Sequence, residues 1–82
     1  MRKPAILITG AGGEIGHGLV TRLSSSGSLI ITLDVSPLDS TLAPLVAREF
    51  TGSITDTSVL DRMLAEFEID LVFHLEIGRA HV

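Results

Sequence analysis

Three glycines spaced three residues apart form the part of the sequence best suited to binding an anionic ligand. Gly10, Gly13 and Gly16 stand between an apolar run and a segment of helical periodicity. Gly10 would permit a tight turn out of a strand, and Gly13 would let the backbone approach a pyrophosphate without a Cβ clash. Gly16 would let the helix pack closely on the sheet, while the N–H groups near Glu14 and Ile15 point at the anion. In this strand–loop–helix context the spacing predicts a dinucleotide-binding loop.

An acidic residue ends the second apolar run, where such a loop requires one. Asp34 follows Gly16 by 18 residues, a spacing typical of the ribose-binding acidic residue. Its carboxylate can accept hydrogen bonds from both hydroxyls of an adenosine ribose, and it would repel a 2′-phosphate. The next residue, Val35, supplies no positive charge to compensate. These two residues predict NAD rather than NADP as the cofactor.

The composition excludes several other classes of function. The chain has 82 residues, a net charge of −4 and no basic cluster, which argues against nucleic acid as a partner. It has no Cys, so disulfides, thiolate nucleophiles and Cys-based metal sites are excluded. Three scattered histidines have no carboxylate at ligand spacing, so no metal site is expected. There is no Tyr, and the single Lys is Lys3, so no catalytic residue of either type is available within the fold.

Targeting and membrane segments are not evident in the sequence. The apolar run after Lys3 covers only residues 5–8, which is too short for the core of a signal peptide. No stretch approaches the roughly 20 apolar residues of a membrane span. We therefore expect a cytoplasmic protein that does not bind a membrane.

The elements that must position the loop and the acidic residue alternate between strand and helix. Residues 5–8, 29–33, 49–51 and 71–75 read as strands, and helices are expected from Glu14 and from Asp56 or Thr57. Two-faced apolar strands with right-handed crossovers predict an α/β fold. The prediction is a partial, truncated Rossmann doubly wound parallel sheet of about four strands, in the order 3-2-1-4, with two main helices. In that order the fourth strand lies at an edge, although its sequence is typical of a central strand.

Each predicted helix carries an apolar stripe that is expected to pack on the sheet. In the first helix the stripe consists of Ile15, Leu19, Val20 and Leu23, and in the second of Val59, Leu60, Met63, Leu64 and Phe67. Between the second and third strands, a short helical turn is expected within residues 41–46. His74, which stands in an apolar strand, is expected to be a packed structural residue.

With these motifs the sequence resembles the extended short-chain dehydrogenase/reductase family, the NAD-dependent epimerases and dehydratases. The resemblance runs from about residue 4 to residue 75 and rests on Thr-Gly-x-x-Gly-x-x-Gly at residues 9–16, Asp34, and the segments 52–56 and 72–75. The typical short-chain pattern has glycine at position 14, where this chain has Glu, so the extended branch fits better. The sequence is similar both to sugar-nucleotide epimerases and to the threonine 3-dehydrogenase-like group.

The resemblance implies a set of cofactor-binding residues. Ser53 stands where the family usually has Asp, beside the adenine, and the Ile54 backbone could contribute there. Leu75 matches the strand end that passes near the nicotinamide side. The implied NAD-binding set is Gly10, Gly13, Glu14, Ile15, Gly16, Asp34, Ser53, Ile54 and Leu75. The family's catalytic Ser or Thr and its Tyr-x-x-x-Lys pair would lie beyond residue 82, so no catalytic residue is assigned.

Residues 76–82 do not continue the family pattern. Their sequence can be back-translated into a DNA string that equals, from its second base, the start of a widely used short-read sequencing adapter. We therefore expect residues 1–75 to be the N-terminal part of an NAD(P)-binding Rossmann domain and residues 76–82 to be a non-native, translated adapter. The alternative is a natural, divergent C-terminus.

Two functions of different classes agree with these observations. The first is the NAD-binding portion of an oxidoreductase, epimerase or dehydratase, inactive alone because its catalytic half is absent. Its parent would be a homodimer that acts on a sugar nucleotide or a small hydroxy compound. The second is a small non-catalytic nucleotide-binding or regulatory module. A flavodoxin-like or receiver domain is a third possibility, and FMN binding without NAD binding would favour the flavodoxin type.

Overall fold

The structure, a computed structural model, describes residues 2–75, which form one parallel sheet with helices on both faces. The elements in chain order are β1 (Lys3–Thr9), α1 (Glu14–Ser25), β2 (Ile30–Asp34), a 3-10 turn (Ala43–Leu45), β3 (Arg48–Thr51), α2 (Thr57–Glu66) and β4 (Phe67–His74). The four strands lie in the order β3-β2-β1-β4, and every neighbouring pair is parallel. The predicted α/β fold, strand order and two main helices are therefore confirmed.

Apolar side chains cover both faces of the sheet, as the continuous apolar strands predict. The face beneath α2 buries one cluster, and the face beneath α1 and the 35–47 connection buries the other. The α2 cluster contains Ala5, Leu7, Ile31, Leu33, Phe50, Val59, Met63 and Phe67, and the α1 cluster contains Ile8, Ala11, Val20, Ile30, Leu38 and Leu42. Successive residues of β1 and β2 alternate between the clusters, because side chains alternate across a strand. This two-sided burial fixes the strand ends that carry the glycine loop and Asp34.

One predicted member of the α1 stripe does not pack on the sheet. Gly16 and Val20 are buried, whereas Ile15 is 74% exposed. Gly16 and Val20 are four residues apart and face the same way, and Ile15 is turned about 100° from Gly16 around the helix axis. The stripe is therefore centred on Gly16 and Val20, with Leu19 and Leu23 at its margin.

The predicted end of the second helix is also corrected. Val59 and Met63 are buried as expected, but Leu64 is 45% exposed. Phe67 has the spacing of the helical stripe, yet it adopts an extended conformation and begins β4, where it pairs with Lys3. The fourth strand therefore starts four residues before the predicted residue 71, and Phe67 is buried in the core as a residue of β4 and not of α2.

An irregularity divides β4 into two parts. Ile69 pairs with Ala5 and Leu71 pairs with Ile6, so Asp70 is an extra residue in β4, a β-bulge. After the bulge, Leu71 and Val72 are each 49% exposed. Within the described sheet β4 pairs only with β1, which agrees with the predicted edge position. In this part of the chain, no helix is long and apolar enough to cross a membrane.

A buried hydroxyl in β2 gives a prediction about stability. Thr32 is 1% exposed, and among the described residues its Oγ1 has no hydrogen-bond partner. Thr32→Val replaces the hydroxyl with a methyl of similar shape, and we expect the free energy of unfolding to rise by about 1 kcal/mol. The matched control is Thr9→Val, because the Thr9 hydroxyl is bonded to His74. Urea unfolding should show opposite signs for the two variants; a destabilised Thr32→Val variant would contradict the prediction.

The predicted cap of α2 is present at Asp56. Its Oδ1 accepts hydrogen bonds from the Ser58 N–H at 3.0 Å, the Ser58 hydroxyl at 2.8 Å and the Val59 N–H at 3.4 Å. The side-chain hydrogen bond from Ser58 is the main reason that the pKa of Asp56 lies below its ordinary value of 3.8. The ionised carboxylate therefore stabilises the helix start.

The Asp56 cap predicts a pH dependence of stability. Because the folded-state pKa is depressed, the contribution is present above the unfolded pKa and is lost as pH falls through the folded pKa. Asp56→Ala should lower the melting temperature at neutral pH, and its difference from the unaltered chain should shrink below pH 3.8. Asp56→Asn, which keeps an acceptor but does not titrate, is the control. An Asp56→Ala deficit that stays constant across this pH range would contradict the assignment.

Candidate functional site

A cleft of about 580 Å³ lies at the carboxyl edge of the sheet. In the order β3-β2-β1-β4, the connection after β1 runs to one side of that strand and the connection after β3 crosses to its other side, which creates a topological switch point. Ligands of open α/β sheets bind outside the carboxyl ends of the strands at such a point. All four strands or the loops after them contribute to the walls. The lining residues are Thr9, Gly10, Gly12, Gly13, Leu33, Asp34, Val35, Ser36, Gly52, Ser53, Ile54, His74 and Leu75.

Most of the residues predicted to bind the cofactor meet in this cleft. The six that line it are Gly10, Gly13, Asp34, Ser53, Ile54 and Leu75. Glu14, Ile15 and Gly16 do not line it; they form the first turn of α1, directly after Gly13. The predicted cofactor-binding residues thus fall into two groups: six line the cleft, and three form the adjacent N-terminal turn of α1.

The turn at Gly10 passes between the ends of two neighbouring strands. Its N–H donates to the Leu33 carbonyl at 3.0 Å, and the Leu75 N–H donates to the Thr9 carbonyl at 2.9 Å. Gly10 has φ of 71°, and a Cβ added there would stand 1.8 Å from the Leu75 carbonyl oxygen. Both the left-handed backbone and the close approach require glycine at this position.

The glycine loop then turns directly into α1. A Cβ on Gly16 would lie 2.3 Å from the Ala11 carbonyl oxygen, so the helix packs against its own loop at this point. Gly13 caps the helix, and no atom of the described chain lies within 4 Å of a Cβ added there. The first helical bond is donated by His17 to the Gly13 carbonyl, which leaves the N–H groups of residues 14–16 without an intrahelical acceptor. These donors and the helix dipole favour an anion beside Gly13.

Asp34 binds backbone groups on two sides of the cleft. Its Oδ2 accepts from the Gly12 N–H at 2.9 Å, and its Oδ1 accepts from the Ser36 N–H at 3.2 Å. Its backbone carbonyl accepts from the Gly52 N–H at 2.9 Å. Sequence reasoning assigned no role to Gly12. The position of Gly12 within the glycine loop could have suggested a role, but its hydrogen bond to the Asp34 carboxylate exists only in the folded chain.

Apolar and small polar residues line the side of the cleft next to Asp34. Val35 and Ile54 line it with exposed fractions of 69% and 48%. The Ser53 hydroxyl accepts from the Thr55 N–H at 3.1 Å and lies 2.8 Å from the Thr55 hydroxyl. The Ser53 side chain is therefore engaged in a local turn, and the exposed apolar surface comes from Val35 and Ile54.

The other side of the cleft is formed by the ends of β1 and β4. The Thr9 hydroxyl and the His74 Nδ1 form a hydrogen bond of 2.5 Å. His74 is exposed, so the expectation of a packed histidine is wrong as regards burial, because β4 is an edge strand of the described sheet. Leu75 is partly buried and packs against the α1 cluster.

The cleft has few charged side chains. Among its lining residues the carboxylate is Asp34, and none is Lys or Arg. Lys3 begins β1 and is therefore at the opposite edge of the sheet. No group of three His, Asp or Glu side chains in residues 2–75 could hold a metal ion.

Comparison with known proteins identifies a family. A family model described as the NAD dependent epimerase/dehydratase family matches residues 6–82. Searches of curated proteins and of solved structures gave no significant match. The range matched by the family model contains all the residues that line the cleft.

Proposed function

Because the chain belongs to the NAD-dependent epimerase/dehydratase family, we propose that residues 1–75 are the N-terminal part of an NAD(P)-binding Rossmann domain that binds NAD in this cleft. The family implies a nicotinamide dinucleotide cofactor. The observation that carries the proposal is the meeting of the glycine loop, the start of α1 and the Asp34 carboxylate around one cleft. A glycine loop and an acidic strand end in this arrangement suit a pyrophosphate and a ribose.

The glycine loop fits the pyrophosphate part of the cofactor. The space next to Gly13 would be filled by any larger side chain, and the free N–H groups of residues 14–16 supply donors. Bound NAD would supply hydride transfer, while Gly10, Gly13 and the first turn of α1 hold its phosphates. Leu75 would lie toward the nicotinamide half.

The adenosine half fits the side of the cleft next to Asp34. The carboxylate would accept hydrogen bonds from the ribose hydroxyls, and no Lys or Arg among the described lining residues would balance a 2′-phosphate. Val35 and Ile54 offer apolar surface to the adenine ring. Because the Ser53 hydroxyl is bonded to Thr55, we assign the polar contact with adenine to the Ile54 backbone.

The proposal assigns cofactor binding, and no catalytic residue, to these residues. The chain has no Tyr, and Lys3 lies at the edge of the sheet opposite the cleft. In the proposed parent, an oxidoreductase of the extended short-chain type, a Tyr would serve as general acid/base and a Lys would lower the pKa of that Tyr. That cytoplasmic parent would be a homodimer acting on a sugar nucleotide or a small hydroxy compound.

Residues 76–82 lie outside the described residues, and although the range of the family match extends over them, we propose that they are translated sequencing adapter. The test is the DNA that follows codon 75. An adapter string there, with a genomic reading frame that continues into Tyr-x-x-x-Lys, supports the truncated enzyme. Natural codons ending in a stop would favour a non-catalytic nucleotide-binding module.

Calorimetric titration of the full chain with NAD, NADP and FMN tests the proposed function. We expect NAD to bind at least about tenfold more tightly than NADP, a difference of roughly 1.4 kcal/mol. Binding of FMN without NAD would overturn the assignment. Equal affinity for NAD and NADP would leave the cleft assigned but remove the role of Asp34 in cofactor choice.

A further inference from the structure

Asp34 connects segments of the cleft that are far apart in the sequence. The Gly12 N–H that donates to its Oδ2 belongs to the glycine loop, 22 residues earlier in the chain. The Ser36 N–H that donates to its Oδ1 belongs to the turn after β2. The Gly52 N–H that donates to its carbonyl oxygen belongs to the loop after β3. One residue thus joins the glycine loop to both segments at the proposed adenosine side.

The contact with Gly12 is specific in its geometry. The hydrogen bond is 2.9 Å long, and a Cβ on Gly12 would stand 3.0 Å from the same carboxylate oxygen. The loop backbone is therefore held directly against the carboxylate. A hydrogen bond to an ionised acceptor is about twice as strong as one between neutral groups. The contact is strong enough to bias the position of an exposed loop.

We infer that Asp34 is a positioning residue for the pyrophosphate loop as well as a ribose acceptor, and that it acts on the loop through the Gly12 N–H. This inference rests on the proposed function. A carboxylate has about four lone-pair sites, so Asp34 can keep its bonds to Gly12 and Ser36 while it accepts ribose hydroxyls. Recognition of the ribose and shaping of the phosphate site thus depend on the same side chain.

The inference has a consequence for cofactor choice. A substitution that removes the charge at position 34 would relax discrimination against a 2′-phosphate. If the new side chain cannot accept a hydrogen bond from the Gly12 N–H, the same substitution also releases the pyrophosphate loop and weakens the binding of every dinucleotide. Asp34→Asn retains one acceptor oxygen of the same reach in place of the two that bind Gly12 and Ser36, whereas Asp34→Ala retains none. The two variants carry the same charge, so their difference reports the side-chain hydrogen bonds at position 34, and a readout at the Gly12 N–H itself identifies the contact with the loop.

The first measurement needs no ligand. Amide hydrogen exchange of the Gly12 N–H, followed by NMR in the full chain, should be at least about tenfold faster in Asp34→Ala than in Asp34→Asn. The amide of Val20, in the middle of α1, reports any general loosening and should exchange equally in both. Equal exchange at Gly12 in the two variants would overturn the inference, whether or not the chain binds NAD.

The second measurement uses inorganic pyrophosphate, a ligand without ribose. Asp34→Asn should bind it at least about tenfold more tightly than Asp34→Ala, because only the Asn variant keeps the loop in place. The matched controls are Asp39→Asn and Asp39→Ala, since Asp39 also accepts a backbone N–H but does not line the cleft. The two Asp39 variants should bind pyrophosphate equally.

The outcomes separate the inference from the proposed function. If the unaltered chain binds no NAD while Gly12 responds as expected, the proposed function fails and the link between Asp34 and the loop remains. If NAD binds but pyrophosphate affinity is the same in Asp34→Asn and Asp34→Ala, the inference fails alone. Should Asp34→Ala not fold, Asp34→Ser takes its place, because its hydroxyl is too short to reach Gly12; equal values for Ser and Asn would then overturn the inference.

Discussion

Gly10→Ala should lower the free energy of unfolding by about 3 kcal/mol, a large part of the stability of so small a chain. The left-handed backbone at φ of 71° costs an alanine about 1–2 kcal/mol. The added Cβ would also stand 1.8 Å from the Leu75 carbonyl oxygen, so the ends of β1 and β4 must move apart. Urea unfolding of the full chain, followed by circular dichroism, measures the loss.

A second glycine substitution provides the control for Gly10→Ala. Gly18 is an exposed residue of α1, and a Cβ added there meets no described atom within 4 Å apart from its chain neighbours and the backbone of its own helix. Gly18→Ala should raise the free energy of unfolding by about 1 kcal/mol, because alanine favours the helix over glycine. A Gly10→Ala variant as stable as the Gly18→Ala variant would show that the β1–β4 junction does not require glycine.

Gly13→Ala should weaken NAD binding by at least about tenfold while leaving the fold intact, the opposite combination to Gly10→Ala. Gly13 has φ of −91°, which any residue adopts, and a Cβ there meets no described atom within 4 Å. Its free energy of unfolding should change by less than about 0.5 kcal/mol. The methyl group would instead occupy the space into which the pyrophosphate must fit. Calorimetric titration with NAD and urea unfolding measure the two quantities separately.

The proposed position of the pyrophosphate depends on this result. Ile15→Ala is a suitable comparison, because Ile15 is exposed and does not line the cleft. We expect Ile15→Ala to reduce NAD affinity less than Gly13→Ala does. Unchanged NAD affinity in Gly13→Ala would place the pyrophosphate elsewhere in the cleft and would remove the main role proposed for the glycine loop.

The sheet and the cleft could be predicted from the sequence because their signals are local. An apolar run between turn residues identifies a strand buried on both faces, as at residues 5–8, and alternation with helices fixes parallel pairing. Gly10 directly follows β1 and Asp34 is the last residue of β2, and parallel strands bring their carboxyl ends to the same edge of the sheet. Six of the nine predicted cofactor-binding residues therefore line one cleft.

Features that depend on distant pairing could not be predicted in this way. Phe67 continues the helical spacing of α2, and its extended conformation accompanies pairing with Lys3 at the other end of the chain. The bulge at Asp70 depends on the register between β4 and β1. The hydrogen bond from Gly12 to Asp34 joins residues that come close together only when β1 pairs with β2. None of these contacts has a signature within a short stretch of sequence.

The central place of β1 also determines when the cleft can exist during folding. Among the four described strands β1 comes first in the chain and its neighbour β4 comes fourth, and the bonded pair Thr9 and His74 is separated by 65 residues. Such long-range pairing forms slowly, because a long segment of chain must first be ordered. A chain in which β4 has not docked lacks the wall formed by His74 and Leu75. A ligand that needs this wall binds only after β4 has paired with β1, and by mass action its binding then stabilises that pairing.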